Sequence, residues 1–344
     1  MNGTLRWVLK AILIAVFLGM AASGRADDVF PGEKWEEVSS PEALGWSSEM
    51  LRIADDFARK MQTDAYLVVQ KGVIVHEYGD TTRATNIHSM RKSILSVLMG
   101  IYRDRGAVDL DKTLAELGID DEQGLSPVEL QATVCHLLQA RSGVYHPAAY
   151  ETAKMSAIRP ARGSFKPGEH WYYNNWDFNA LGTIFQKFTG KTIFESLCED
   201  LAEPLQFENF RCSLDTRFQF EGASVHPAYL MRLSARDLAR VGLLMARKGM
   251  WKGRRIVSEQ WVTDSTTSYS ETDRPGRGYG YLWWVNLRQG TFSANGHRGQ
   301  HVLVDPASDL VIVHKVDSEH DFHRAVTGRQ LTKLLDCVRN AKKP

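Results

Sequence analysis

The chain has 344 residues, 43% hydrophobic, 24% charged and 10% aromatic, with 42 Lys and Arg against 41 Asp and Glu. That balance excludes a disordered chain, a collagen-like repeat and an integral membrane protein. The net charge of +1 also argues against broad nucleic-acid binding, which needs a strongly cationic face to displace counterions. What remains is a globular chain with ample core, in two domains or one large one.

The chain opens with a leader pattern. Arg6 and Lys10 give a positive start, and Ala11 to Ala22 form an apolar stretch shorter than the roughly 20 residues of a membrane span. Gly24 and Ala26 then place small residues before Asp27-Asp28. This order reads as a secretory signal cleaved after Ala26, which predicts a periplasmic or secreted protein without a stable membrane span. An uncleaved N-terminal anchor is the alternative. Cleavage removes Arg6, Lys10 and Arg25 and no acid, so the mature chain is mildly acidic. Export permits disulfides, and Cys135, Cys198, Cys212 and Cys337 are even in number. Their spacing fits no zinc ribbon or Cys-x-x-Cys. Of the three possible pairings Cys198 with Cys212 is the most local, and buried unpaired thiols are the equal alternative.

Beyond the leader, Ser47 to Met61 reads as an amphipathic helix with Leu51, Ala54, Phe57, Ala58 and Met61 on one stripe. Ala65 to Gln70 and Val73 to Tyr78 are β-rich runs around Lys71-Gly72, a hairpin signal. A helix is expected from Ser89 to Arg103. Mostly helical segments follow at Pro127 to Ala140, Phe178 to Phe188, Ile193 to Leu205, Ala235 to Lys248 and Glu259 to Ser265. Strand character returns at Gly278 to Asn286, His301 to Asp305 and Leu310 to Val316, before a last helix from Phe322 to Arg339. Strands at both ends with helices between them predict an α+β chain. Residues 27–105 and 276–344 would form a discontinuous α/β domain, with 106–275 as an inserted helical domain and a cleft between the two.

Two familiar patterns fail. Thr189-Gly190-Lys191-Thr192 resembles the end of a phosphate-binding loop, but Phe185 stands where that motif needs glycine. A helix C-cap is the better account. No Gly-x-Ser-x-Gly elbow is present. Asp317, His320 and His323 have no recognised ligand spacing and read as surface polar residues. No metal and no cofactor is expected.

Three patterns carry chemistry. Ser89-Met90-Arg91-Lys92 opens a helix, where residues three apart share a face, so Lys92 can reach the Ser89 hydroxyl. A buried lysine amine can lose its charge and act as base to that serine. The plainer account is Ser89 as an N-cap. Trp171 to Asn175 reads Trp-Tyr-Tyr-Asn-Asn before a helix. Tyr173 can relay protons beside an ammonium and Asn175 can orient lysine and substrate, unless this is an aromatic loop capped by Asn175. Asn295 to Gln300 reads Asn-Gly-His-Arg-Gly-Gln before a strand. Glycines there permit close backbone approach, His297 or Arg298 can hold a substrate group, and the Gln300 N–H can serve an oxyanion. An ordinary glycine-rich turn is the alternative.

Taken in order on helix, loop and strand, these motifs resemble the serine β-lactamase and penicillin-binding protein superfamily. The likeness is greatest to its class C β-lactamase-like branch of lactamases, D-amino-acid peptidases, carboxylesterases and nylon-oligomer amidases. Leu137-Leu138 with Ser142-Gly143, Pro167-Gly168 through Leu181-Gly182, and Arg236 to Ala239 agree, so the resemblance covers residues 40 to 335. It implies a β-lactamase/transpeptidase-like fold, an antiparallel sheet flanked by helices with an all-helical insertion.

It also implies acyl transfer through Ser89, with Lys92 and Tyr173 sharing the base role, and an oxyanion hole from the Ser89 and Gln300 N–H groups. His297-Arg298-Gly299 replaces the family's Lys-Thr-Gly, and Asp177 replaces a glycine common in relatives. The missing lysine helps bind the lactam carboxylate in relatives, so a small ester or amide is the expected substrate. A class C-type β-lactam or D-Ala-D-Ala peptide is the second expectation, and a non-catalytic cell-wall or protein-binding relative the third. Alternation along a strand would send only one of His297 and Arg298 into the cleft; His297 is expected there.

Overall fold

The computed structural model describes residues 28–319 and 325–343; the leader, His320 and His323 lie outside them. Its centre is an eight-stranded antiparallel sheet. The strand order is Val73–Gly79, Ala65–Gln70, Leu310–Lys315, His301–Asp305, Thr291–Asn295, Trp284–Asn286, Arg277–Tyr279 and Ser270–Glu271. The two ends of the chain therefore meet in the middle, where Ala65 pairs with Lys315 and Gln70 with Leu310.

Period-two alternation gives the sheet two buried faces. Leu67, Val69, Val302, Val304, Val311 and Val313 face the larger core, which also takes in the helices Met90–Asp104 and Ala235–Ala246. Tyr66, Val68, Leu303, Leu310 and Ile312 face a second layer of helices Ser48–Lys60 and Gly328–Asn340. Ser48–Lys60 follows the expected stripe, burying Leu51, Ala54 and Ala58, and Ser47 caps it by accepting from the Met50 N–H. The helix Asn175–Thr189 packs across Met90–Asp104, and this crossing positions the site.

Segment 106–275 is less helical than its apolar pattern suggests. Ala228–Leu233 pairs with Thr216–Gln219 and with Thr85–Asn86 in a three-stranded sheet. The helix Ala235–Ala246 lies on the central strands Leu310–Lys315 and His301–Asp305. Pro127 to Ala140 is not one helix. A 3-10 turn at Glu129–Gln131 ends at an extended Ala132, and Thr133 caps a new helix, Val134–Leu138, through a reciprocal box with His136. The expected Gly278–Asn286 strand is split in two, with Leu282 at a φ of 64° and its N–H bonded to the Leu138 carbonyl.

Gly190, at a φ of 70°, ends the helix before it and Thr192 caps the next, so the Gly-Lys-Thr run is a helix boundary. Cys198 and Cys212 form a disulfide with Cα atoms 6.0 Å apart, while Cys135 and Cys337 are free thiols. Asp317 differs from its expected place at the surface: it is buried and pairs with Arg83 at 2.9 Å. No group of His, Cys, Asp and Glu that could hold a metal occurs among the described residues.

Candidate active site

Ser89 stands at the N-cap position of Met90–Asp104, but its side chain caps nothing. Its Oγ instead lies 3.0 Å from Lys92 Nζ, one turn along. His88, just before it, takes a φ of 47°, a conformation that needs support in a non-glycine residue. Asn86 Oδ1 accepts from the His88 N–H at 2.8 Å, Tyr150 OH bonds Nδ1 at 2.7 Å, and Ser318 Oγ bonds Nε2 at 2.6 Å. Burial pushes the His88 imidazole down to about 3, so this support is neutral.

Lys92 Nζ donates to Asn175 Oδ1 at 2.7 Å and lies 2.9 Å from Tyr173 OH. Ser89, Lys92, Tyr173 and Asn175 are thus brought together around one nitrogen. Ser89 and Tyr173 are half-buried, whereas Lys92 is 1% exposed, with the Phe178 ring 4.6 Å from Nζ. Asn174, not Asn175, caps the helix Asn175–Thr189, accepting from the Trp176 N–H. That leaves the Asn175 amide free to turn inward. Its Nδ2 donates to the Tyr150 carbonyl at 2.7 Å, which fixes Oδ1 as the atom facing Lys92.

The electrostatics follow from burial. Desolvation, and then the nearby Arg91 charge, hold Lys92 well below the usual lysine range. The Arg91 guanidinium lies between the Tyr150 and Tyr229 rings at 5.2 and 5.1 Å and donates to the His88 carbonyl at 3.3 Å. Burial raises the Tyr173 phenol, partly opposed by a hydrogen bond from Ser89. Both shifts favour the uncharged forms of the amine and the phenol. A neutral amine has two N–H donors and one lone pair. Asn175 Oδ1 can only accept, so the lone pair faces the Ser89 or Tyr173 hydroxyl.

The wall beside Tyr173 is aromatic. Trp284 stacks on Tyr173 at 5.5 Å, Trp171 meets Trp284 at 5.9 Å, and the Arg274 guanidinium lies 4.4 Å over Trp284. Asp177 is fully buried behind this block. Ser142 Oγ and Asn174 Nδ2 donate to its Oδ1 at 2.5 and 2.8 Å, and burial raises its carboxyl well above the usual range. It therefore ties Asn174 to the Ser142-Gly143 loop and stays away from Lys92.

His297, Arg298, Gly299 and Gln300 depart from a strand entrance. His297–Gly299 form a single 3-10 turn with Arg298 at a φ of 65° and Gly299 at 95°, so strand alternation does not decide which side chain turns inward. His297 is exposed, with its ring 5.8 Å from that of His88; Arg298 is half-buried. A side chain at Gly296 would put its Cβ 2.7 Å from the Ile87 carbonyl oxygen, which explains the glycine. Gln300 is buried, and its Nε2 donates to the Asn86 and Val316 carbonyls at 2.6 and 3.0 Å. The turn is thereby pinned to the segment leading into Ser89.

The sequence and the fold match a known group of proteins. A family model described as Beta-lactamase matches residues 52–335. The chain belongs to this family. It is a hydrolase of the β-lactamase/transpeptidase-like fold. The 6-aminohexanoate-dimer hydrolase of Paenarthrobacter ureafaciens is 26% identical over 313 residues, 80% of this chain and 78% of that one. A solved β-lactamase from Mycobacterium bovis superposes with a TM-score of 0.60 at 21% identity, covering 84% of this chain and all of the other. A penicillin-binding protein homologue from Caulobacter crescentus gives 0.62 at 15% identity, over 86% and 99%. Both structures show the likeness of fold. Among the described residues of this β-lactamase-family chain, no helix is long and apolar enough to cross a membrane.

Sequence reasoning missed His88 and Tyr150, which hold the serine turn and Asn175. Neither belongs to a motif, and each acts through a position the sequence leaves unmarked. The left-handed His88 carries no glycine or asparagine signal.

Proposed function

We propose that this chain is an exported serine hydrolase that cleaves small esters or linear amides through an acyl-enzyme on Ser89. The observation that carries the reading is the placement of Lys92 Nζ within hydrogen-bond distance of Ser89, Tyr173 and Asn175 at once. Lys92, neutral in its buried site, takes the Ser89 proton as Oγ attacks the carbonyl carbon. Tyr173, whose phenol stays protonated, passes a proton to the leaving alcohol or amine and is refilled from Lys92. The Ser89 and Gln300 N–H groups hold the oxyanion, each donor contributing roughly 10²–10³ in rate. Water then attacks the acyl-enzyme along the reverse proton path, giving the acid and free Ser89.

The 26% identical relative is named for hydrolysis of a 6-aminohexanoate dimer, which supports a linear amide as the natural bond. The partly exposed Trp171 ring suits an apolar acyl chain. The Cys198–Cys212 disulfide supports an oxidising compartment. A fluorophosphonate probe followed by intact mass tests the reading: one adduct, mapped to Ser89, is expected. Turnover of nitrophenyl esters and linear amides above that of β-lactams and D-Ala-D-Ala peptides is expected alongside it. A chain that never labels would be a binding protein.

The His297 turn sets the substrate preference. Partial desolvation of the solvent-exposed ring and then the Arg298 charge lower the His297 imidazole below its ordinary value, so near pH 7 it offers a neutral hydrogen bond rather than a cation. His297→Ala is expected to lower kcat/KM on neutral esters up to about tenfold, the worth of one such bond. Arg298→Ala is expected to stay within about twofold of the parent, since no neutral-ester contact is removed. Loss confined to anionic substrates in Arg298→Ala would shift the preference to carboxylate-bearing lactams or peptides.

A further inference from the structure

The peptide unit between Gly299 and Gln300 carries the N–H assigned to the oxyanion, and its other end is held by a buried histidine. His314 lies on the sheet face opposite the larger core, fully buried, with Nδ1 2.7 Å from the Gly299 carbonyl oxygen. A carbonyl can only accept, so Nδ1 carries the proton. Nε2 is then a lone pair, and Thr63 Oγ1, 2.9 Å away, donates to it. Burial pushes the His314 imidazole down to about 4, which keeps the ring neutral and this tautomer intact near pH 7. Thr63 is itself buried just beyond the helix Ser48–Lys60, on the far side of the sheet from Ser89's helix.

We infer that His314, oriented by Thr63, is a positioning residue that aims and polarises the oxyanion-binding N–H of Gln300. In a planar trans peptide the C=O and N–H point in opposite directions, so fixing the carbonyl fixes the line of the N–H. Thr63 O–H, His314 Nδ1–H and Gln300 N–H form three donors in series, each strengthened when the preceding one is in place. The turn needs such an anchor. Arg298 and Gly299 both sit at positive φ, and the turn's other backbone ties are Val326 N–H to the Arg298 carbonyl at 3.1 Å and Gly296 N–H to the Gln300 carbonyl at 2.8 Å. Neither of those bonds touches the Gly299 carbonyl. His314 never meets substrate; it acts only through the peptide.

This inference rests on the acyl-enzyme reading above, and the experiment separates the two. The variants are Thr63→Val, which keeps the shape and removes the donor, Thr63→Ser, which keeps the donor, and His314→Leu. Each is measured on a neutral nitrophenyl ester, with kcat per site titrated by the fluorophosphonate probe and with inhibition by a phenylboronic acid, which mimics the tetrahedral oxyanion adduct. Thr63→Val frees the imidazole to move its proton to Nε2, setting a lone pair against the Gly299 carbonyl. A fall in kcat of about tenfold is expected for it, and up to about a hundredfold for His314→Leu, since a displaced oxyanion donor costs on that scale. KM stays within about twofold, boronate affinity falls in step with kcat/KM, and Thr63→Ser recovers the parent rate. A merely structural role would lower Tm and the titrated fraction but leave kcat per site and boronate affinity alone. That pattern, or a Thr63→Ser rate as low as that of Thr63→Val, overturns the inference while the reading stands. A parent protein that neither labels at Ser89 nor turns over ester overturns both.

Discussion

Ser89→Ala is expected to lower kcat/KM on nitrophenyl esters on the order of 10⁵- to 10⁶-fold, because a nucleophile and its base work as a unit. The change is small in structural terms. The hydroxyl is half-exposed and its bond is to Lys92, so folding and the rest of the cleft persist. Adding Lys92→Met to Ser89→Ala should cost little more, since the base has nothing left to deprotonate. Steady-state rates on equal amounts of folded protein make the comparison. Ester turnover in Ser89→Ala at even a tenth of the parent rate would remove this serine from the reaction.

Lys92→Met should cost roughly 10⁴-fold or more in kcat while leaving ester binding nearly unchanged, since Lys92 lies behind Ser89. The pH profile carries the sharper information. Lys92 is held below its ordinary 10.5 by burial and Arg91, and only the neutral amine is a base. The parent rate should therefore rise with pH through that lowered value. Stability has the same sign. Between the folded value and about 10.5 the unfolded chain binds a proton at Lys92 that the folded chain does not, so unfolding becomes less favourable as pH rises. Lys92→Met should lose that part of the rise. Lys315, pushed down to about 7 by burial, contributes a rise of the same sign, which the variant keeps. Urea melts from pH 6 to 10 on both proteins measure the difference; identical slopes would mean that Lys92 is charged in the folded state.

How much of this was legible depends on the scale of the signal. Ser89 to Lys92 could be placed because helical spacing is rigid: three residues apart means one face, whatever the surroundings. Tyr173 and Asn175 came from a motif whose meaning depends on the first, and the structure brings both to Lys92. Two strands, one in each sheet, were harder. Thr291–Asn295 has a single large apolar side chain, Phe292, and Ala228–Leu233 lies between helices in a segment whose hydrophobicity is high all round, so neither shows a period of two. Pro127 to Ala140 has helical apolar spacing, but the Thr133–His136 box outbids it locally. The strand alternation expected for His297 and Arg298 fails, and the glycine-rich turn holds, because two positive φ values fall partly on arginine, a residue that does not announce them. His314 and Thr63 had no signal at all. Their roles depend on a pairing between distant parts of the chain.

That distance has a consequence for the life of the polypeptide. Thr63 and His314 are 251 positions apart, and the central strand pair joins the same two regions. Closing so long a loop is slow relative to forming local helices, and the sheet cannot close before its last strands have left the ribosome. Until then Ser89 and Lys92 share a helix, but the Gly299 carbonyl has no His314 to hold it. The two halves of the sheet are thus joined only when Leu310–Lys315 takes its place between Ala65–Gln70 and His301–Asp305.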